Sequence, residues 1–177
     1  MATTYAETPR VDTGGWIKHG IIGGIVAAIG MMMVEMIIAA AMGMDAFMPP
    51  RMIAGIVLGK SAMEPSTPLM TAALTGMGLH MMLSIVYGLI FAWLVANVRA
   101  LQTTTTVIAA GAVFGLLLWL INFYVIAPPA GWVWFPTMAN PVQQIISHVV
   151  GFGLVLGVYF DRVVVHRLET ASATARA

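Results

Sequence analysis

Residues Ala72 to Ala96 read AALTGMGLHMMLSIVYGLIFAWLVA. Taken at every fourth position the stretch gives Ala72, Gly76, His80, Ser84, Gly88, Ala92 and Ala96, which lie along one face of a helix. That face is small and carries one histidine and one serine, whereas the remaining faces are Leu, Met, Ile, Val, Phe and Trp. A helix of this kind shows apolar side chains to lipid and a smooth, partly polar seam to its neighbours.

The composition extends this reading to the whole chain. Of 177 residues, 60% are apolar and 8% are charged, and the mean hydropathy is +0.92. Such values describe an integral membrane protein rather than a soluble domain. No Asp, Glu, Lys or Arg occurs between Glu64 and Arg99, nor between Arg99 and Asp161. Each hydrocarbon crossing needs about 20 apolar residues, so four helices with short connections use nearly the whole chain. The fold class expected is therefore an all-α, four-helix transmembrane bundle in one domain, residues 16–165, between flexible cytoplasmic ends at 1–15 and 166–177.

Several functions are excluded at this level. With no cysteine there are no disulfides, thiolate metal sites or redox dithiols. A net charge of +1 offers no basic surface to nucleic acid. HExxH, GxSxG, P-loop and Rossmann patterns are absent, so hydrolase and nucleotide chemistry have no support and the chain reads as a non-enzyme. No cleaved signal peptide is expected, because the first apolar run is long and contains Glu35.

In chain order, helix one is predicted over Trp16 to Met42, with Gly20, Gly24 and Ala28 at small-xxx-small spacing. A short helix from Pro50 to Lys60 comes next, too short to span and expected to lie at the interface or re-enter the bundle mouth. Ser66-Thr67-Pro68 reads as a cap and proline that start helix two, which runs to about Val98. Thr103 to Thr106 offer caps for helix three, closed by Pro128-Pro129. Asn140-Pro141 opens helix four, which ends near Phe160. Arg10, Lys18, Arg99, Arg162, Arg167 and Arg176 then share one side of the membrane, with only Arg51 and Lys60 on the other. That asymmetry places both termini in the cytoplasm.

The same topology brings one polar side chain from each helix into the outer half of the bilayer: Glu35, His80, Asn122 and His148, with Ser84, Gln143, Gln144 and Ser147 nearby. Ionisable groups within a span cost about 2.5 to 3.5 kcal/mol on insertion scales, so they are normally kept for a partner or a task. Pairing of Glu35 with a histidine is the natural expectation. Three roles are consistent with such a cluster. The pocket binds a transition metal or haem b through His80 and His148 with Glu35 as a third ligand or support, either alone or as an accessory subunit of a larger membrane complex. Alternatively Glu35 and the histidines relay protons or small ions in a transporter or channel component, whose natural homo-oligomer contacts would be the small faces of helices one and two. Or the polar groups only hydrogen-bond across a structural bundle. Met42, Met44 and Met48 at the outer mouth add a Cu(I) variant of the metal reading, against which stands methionine's ordinary use as apolar filler.

The segments HMMLSIVYG, INFYVIAPP and SHVVGFGLVLGVYFDR resemble the YagU-like inner-membrane proteins, across about the last hundred residues. The resemblance implies a four-span protein of a bacterial inner (cytoplasmic) membrane. The apolar composition itself makes the lipid bilayer a partner, with other membrane proteins or further copies of the chain as the expected protein partners. It brings no activity and no site residues.

Overall fold

The computed structural model describes residues 13–165, and no strand occurs among them. Four of its helices are long and apolar enough to cross a membrane: span one, Gly15–Ala41; span two, Leu69–Asn97; span three, Thr104–Ile126; span four, Pro141–Val163. The chain is a multi-pass membrane protein. Helix one is already formed at Thr13, slightly earlier than the apolar run alone suggests. The rest of the terminal segments expected to be flexible lies outside the described residues.

The spans pack with their small residues inward and large apolar ones outward. Ile29, Met33 and Ile37 of span one and Met70, Leu74 and Met82 of span two are exposed, while Ala27, Ala28, Ala39, Ala72 and Ala92 are buried. This inversion suits a lipid solvent, in which helix association relies on close packing rather than on hiding apolar surface. Neighbouring spans run antiparallel and meet backbone to backbone. A methyl group at Gly88 would overlap the Gly20 carbonyl and come within 2.7 Å of the Gly24 backbone, locking spans one and two. Gly111 and Gly115 abut Gly153 and the His148 carbonyl in the same way, locking spans three and four. Gly30 and Gly151 join spans one and four.

Spans two and three do not complete the ring, although adjacent helices in an up-and-down order are expected to pack. They touch sparingly, chiefly where Phe91 meets Phe114 at 5.3 Å between ring centroids and where the Tyr87 hydroxyl donates to Asn122 Oδ1 at 2.9 Å. The small faces expected as oligomer contacts are thus used inside the monomer: Gly20 and Gly24 face Gly88 and Ser84, and Gly76 faces the short helix.

Caps explain the helix starts. The Thr103 hydroxyl accepts from the Thr106 N–H while Thr106 reaches back to Thr103, a reciprocal capping box. Asn140 accepts from the N–H groups of Val142 and Gln143 at 3.0 and 3.2 Å, with Pro141 in the first turn. Replacing Asn140 with Ala is expected to destabilise the bundle by about 1 kcal/mol in a reversible detergent unfolding titration; an unchanged midpoint would show the cap to be dispensable. The cap expected at Ser66-Thr67 is not formed. Thr67 Oγ1 donates instead to the Ser61 carbonyl at 2.7 Å, and Pro68 occupies the cap position without a side-chain bond.

Candidate functional site

The gap between spans two and three is covered at the mouth end by the short helix, Met48–Leu58. Pro49 and Pro50 sit in its first turn, where a missing N–H is harmless. The helix lies so close to span two that a methyl at Gly76 would overlap the Pro50 carbonyl. On its other side Trp134 Nε1 donates to the Met52 carbonyl at 3.1 Å, and Met52 packs in one cluster with Trp119, Phe123, Ala127, Trp134 and Phe135. Arg51 points away into the next turn of chain. Its buried guanidinium donates to the carbonyls of Ala62 at 2.9 Å, Glu64 at 3.2 Å and Thr67 at 3.2 Å, with Asp45 at 3.9 Å. The sequence marks Arg51 only as an outer charge; its role as the clamp that shapes this cover has no sequence signal.

Beneath the cover lies a cavity of about 420 Å³. Spans one and four supply Met31, Glu35, Gln144, His148 and Phe152; span two supplies Leu79, His80, Leu83, Ser84 and Tyr87; span three supplies Leu118, Asn122, Phe123 and Ile126. Ile53 and Ile56 of the short helix and Trp132 and Phe135 of the Trp-rich loop complete it. The wall is mostly apolar, with a few polar groups set into it, as in small-molecule sites. Ile126 is 43% exposed and Leu79 and Leu83 are half-buried, so the wall reaches the surface of the bundle along spans two and three, which touch only sparingly.

Of the predicted residues, Glu35, His80, Ser84, Asn122, Gln144 and His148 all line this one cavity. Gln143 and Ser147 do not. Gln143 Nε2 donates to the Glu35 backbone carbonyl at 3.3 Å, and Ser147 is fully buried with its hydroxyl unpartnered among the described residues. Glu35 pairs with neither histidine: its carboxyl meets the side chain of Gln144, one turn before His148 on span four. His148 Nδ1 lies 2.9 Å from the Gln144 carbonyl. A carbonyl only accepts, so Nδ1 carries the proton and a neutral ring keeps its lone pair on Nε2. His80 is 9% exposed, lines the cavity and has no hydrogen-bond partner among the described residues.

Two π-helical turns form the wall opposite span two. Ile121–Ile126 carries Asn122, Phe123 and Ile126; Ser147–Leu154 carries His148 and Phe152. Wide turns of this kind are rare and concentrate at functional sites. Here the second turn lets the His148 carbonyl back onto Gly115 while its ring lines the cavity. Tyr87, Phe152 and Met31 are site residues that sequence reasoning misses, although a signal is present. Each lies one or two helical turns from a predicted residue, at i+7 from His80, i+4 from His148 and i−4 from Glu35.

Among the described residues no group of three His, Cys, Asp or Glu side chains is arranged to hold a metal ion. The trio Glu35, His80 and His148 therefore shares a cavity without converging as a ligand set, because Gln144 rather than an imidazole stands against the carboxyl. No family model, curated protein or solved structure matches the chain.

Proposed function

We propose that the protein is an intramembrane binding protein for a small lipophilic molecule with a polar group, admitted from the bilayer through the gap between spans two and three. The observation that carries this is the unpartnered His80 in a largely apolar cavity open on one side. His80 presents its ring to that cavity with no hydrogen-bond partner among the described residues, a place that the polar group of a ligand can take. The cavity volume of about 420 Å³ lies within the 300 to 1,000 Å³ usual for small-molecule sites.

In this reading the membrane is the bacterial cytoplasmic one, with both termini inside and the covered mouth facing out. Lysine and arginine asymmetry supports that orientation, and more so because Arg51 is held within the fold, leaving Lys60 as the exposed cation at the mouth among the described residues. A second reading, exchange of a ligand against protons in a transport component, is favoured by Gln144. It bonds Glu35 through its side chain and His148 through its carbonyl, so the two ionisable groups share one support.

A neutral fluorescent probe, 1-aminoanthracene, tests the binding reading by energy transfer from Trp132, which lines the cavity. Saturable transfer is expected in wild-type protein, and Leu83→Phe, which fills the gap side, is expected to weaken it about tenfold, or 1.4 kcal/mol. Transfer that never saturates, or that survives Leu83→Phe unchanged, would sink the proposal.

A further inference from the structure

We infer that the cavity selects an organic cation, a lipophilic ammonium- or phosphonium-class ion whose positive charge rests against Glu35. The inference depends on the reading of the cavity as a ligand site and adds the charge of the ligand.

Glu35 is 4% exposed and is the one formally charged side chain in the cavity wall. Its side-chain partner, Gln144, is a neutral amide. The ion pairs among the described residues lie elsewhere, between Arg51 and Asp45 and between Arg162 and Asp161. Arg51 is the one Lys or Arg side chain buried among the described residues, and three backbone carbonyls occupy its guanidinium. A buried acid with no cation of its own is the counter-charge for one that arrives.

The rest of the wall fits the same guest. Tyr87, Phe123, Trp132 and Phe135 surround the cavity with aromatic rings, whose faces attract a cation most strongly where water is excluded. His148 Nε2 adds an acceptor. An inorganic cation would need several oxygen or nitrogen ligands to replace its water, and no group of three His, Cys, Asp or Glu side chains is arranged for one among the described residues. An organic cation carries its own apolar coat, and the side opening admits it without a polar path.

Tetraphenylphosphonium and tetraphenylborate, which share a shape and differ in sign, give the test. Saturable binding to purified protein, corrected for empty micelles, is expected to favour the phosphonium by about tenfold or more. Glu35→Gln is expected to lower phosphonium affinity about tenfold, erase the preference, and leave 1-aminoanthracene binding in place. Equal binding of the two ions by wild-type protein overturns the cation assignment, as does unchanged phosphonium affinity in Glu35→Gln. In either case continued 1-aminoanthracene binding preserves the ligand-site reading, whereas failure of all three probes overturns both. If Glu35→Gln does not fold, the wild-type comparison of the two ions decides alone.

Discussion

Gly88→Val should destabilise the bundle by about 3 kcal/mol, the upper part of the usual range for overpacking, because nothing near the new side chain can move aside. The first added carbon would overlap the Gly20 carbonyl and crowd Gly24, and both are backbone. A flexible side chain would rotate away, but here spans one and two must separate along their length. Separation would also draw Ser84 and His80 from the cavity wall, so probe binding should fall with stability. Gly78→Val on the same helix is the control. An added Cβ there meets nothing within 4 Å, and the effect should be limited to helix propensity, within about 1 kcal/mol. Reversible unfolding of both variants in mixed detergent makes the comparison, and equal losses would refute the backbone seam.

Arg51→Met should leave the four spans in place and release the cover. The wild-type guanidinium satisfies three carbonyls in the 62–67 turn, and hydrogen bonds to a charged donor contribute about 1.5 to 3 kcal/mol each in favourable cases. Methionine fills similar space without a donor, leaving those carbonyls unpaired, for a local loss of about 3 kcal/mol. Hydrogen exchange should therefore quicken over residues 48–67 with little change in the spans. Arg51→Lys should restore only part of the protection, since all three carbonyls are met by the terminal Nη1 of the guanidinium, which the shorter lysine side chain does not fully reach. Wild-type exchange over the cover in Arg51→Met would remove Arg51 from its assigned role.

The helices are legible in the sequence because hydropathy, proline and caps agree on their limits. Asn140-Pro141 and the threonine run act where the pattern places them. Six of the predicted polar residues reach one cavity for a simple reason: antiparallel spans of similar length put comparable distances from a turn at comparable heights. Periodicity does not convey which face meets which neighbour. From the pattern alone, the seam through Gly76, Ser84 and Gly88 should draw the other spans towards His80. It instead divides between the short helix and span one, and leaves span three apart. The π turns at Ile121 and Ser147 rotate the residues after them relative to an ideal helix, and no residue type announces such turns. The pairing of Glu35 with Gln144 rather than with a histidine is a product of how spans one and four pack, which periodicity does not convey.

The glycine seams also bear on how the molecule is assembled. Spans one and two are locked by contacts made within their own hairpin, as are spans three and four, so each pair is complete once its second helix has entered the membrane. The cavity belongs to neither pair: His80 and the short helix come with the first, His148 and Asn122 with the second. It arises when Gly30 and Gly151 close the two hairpins against one another. A ligand bound there would bridge both halves and hold them together, so occupancy of the site would report that assembly had finished.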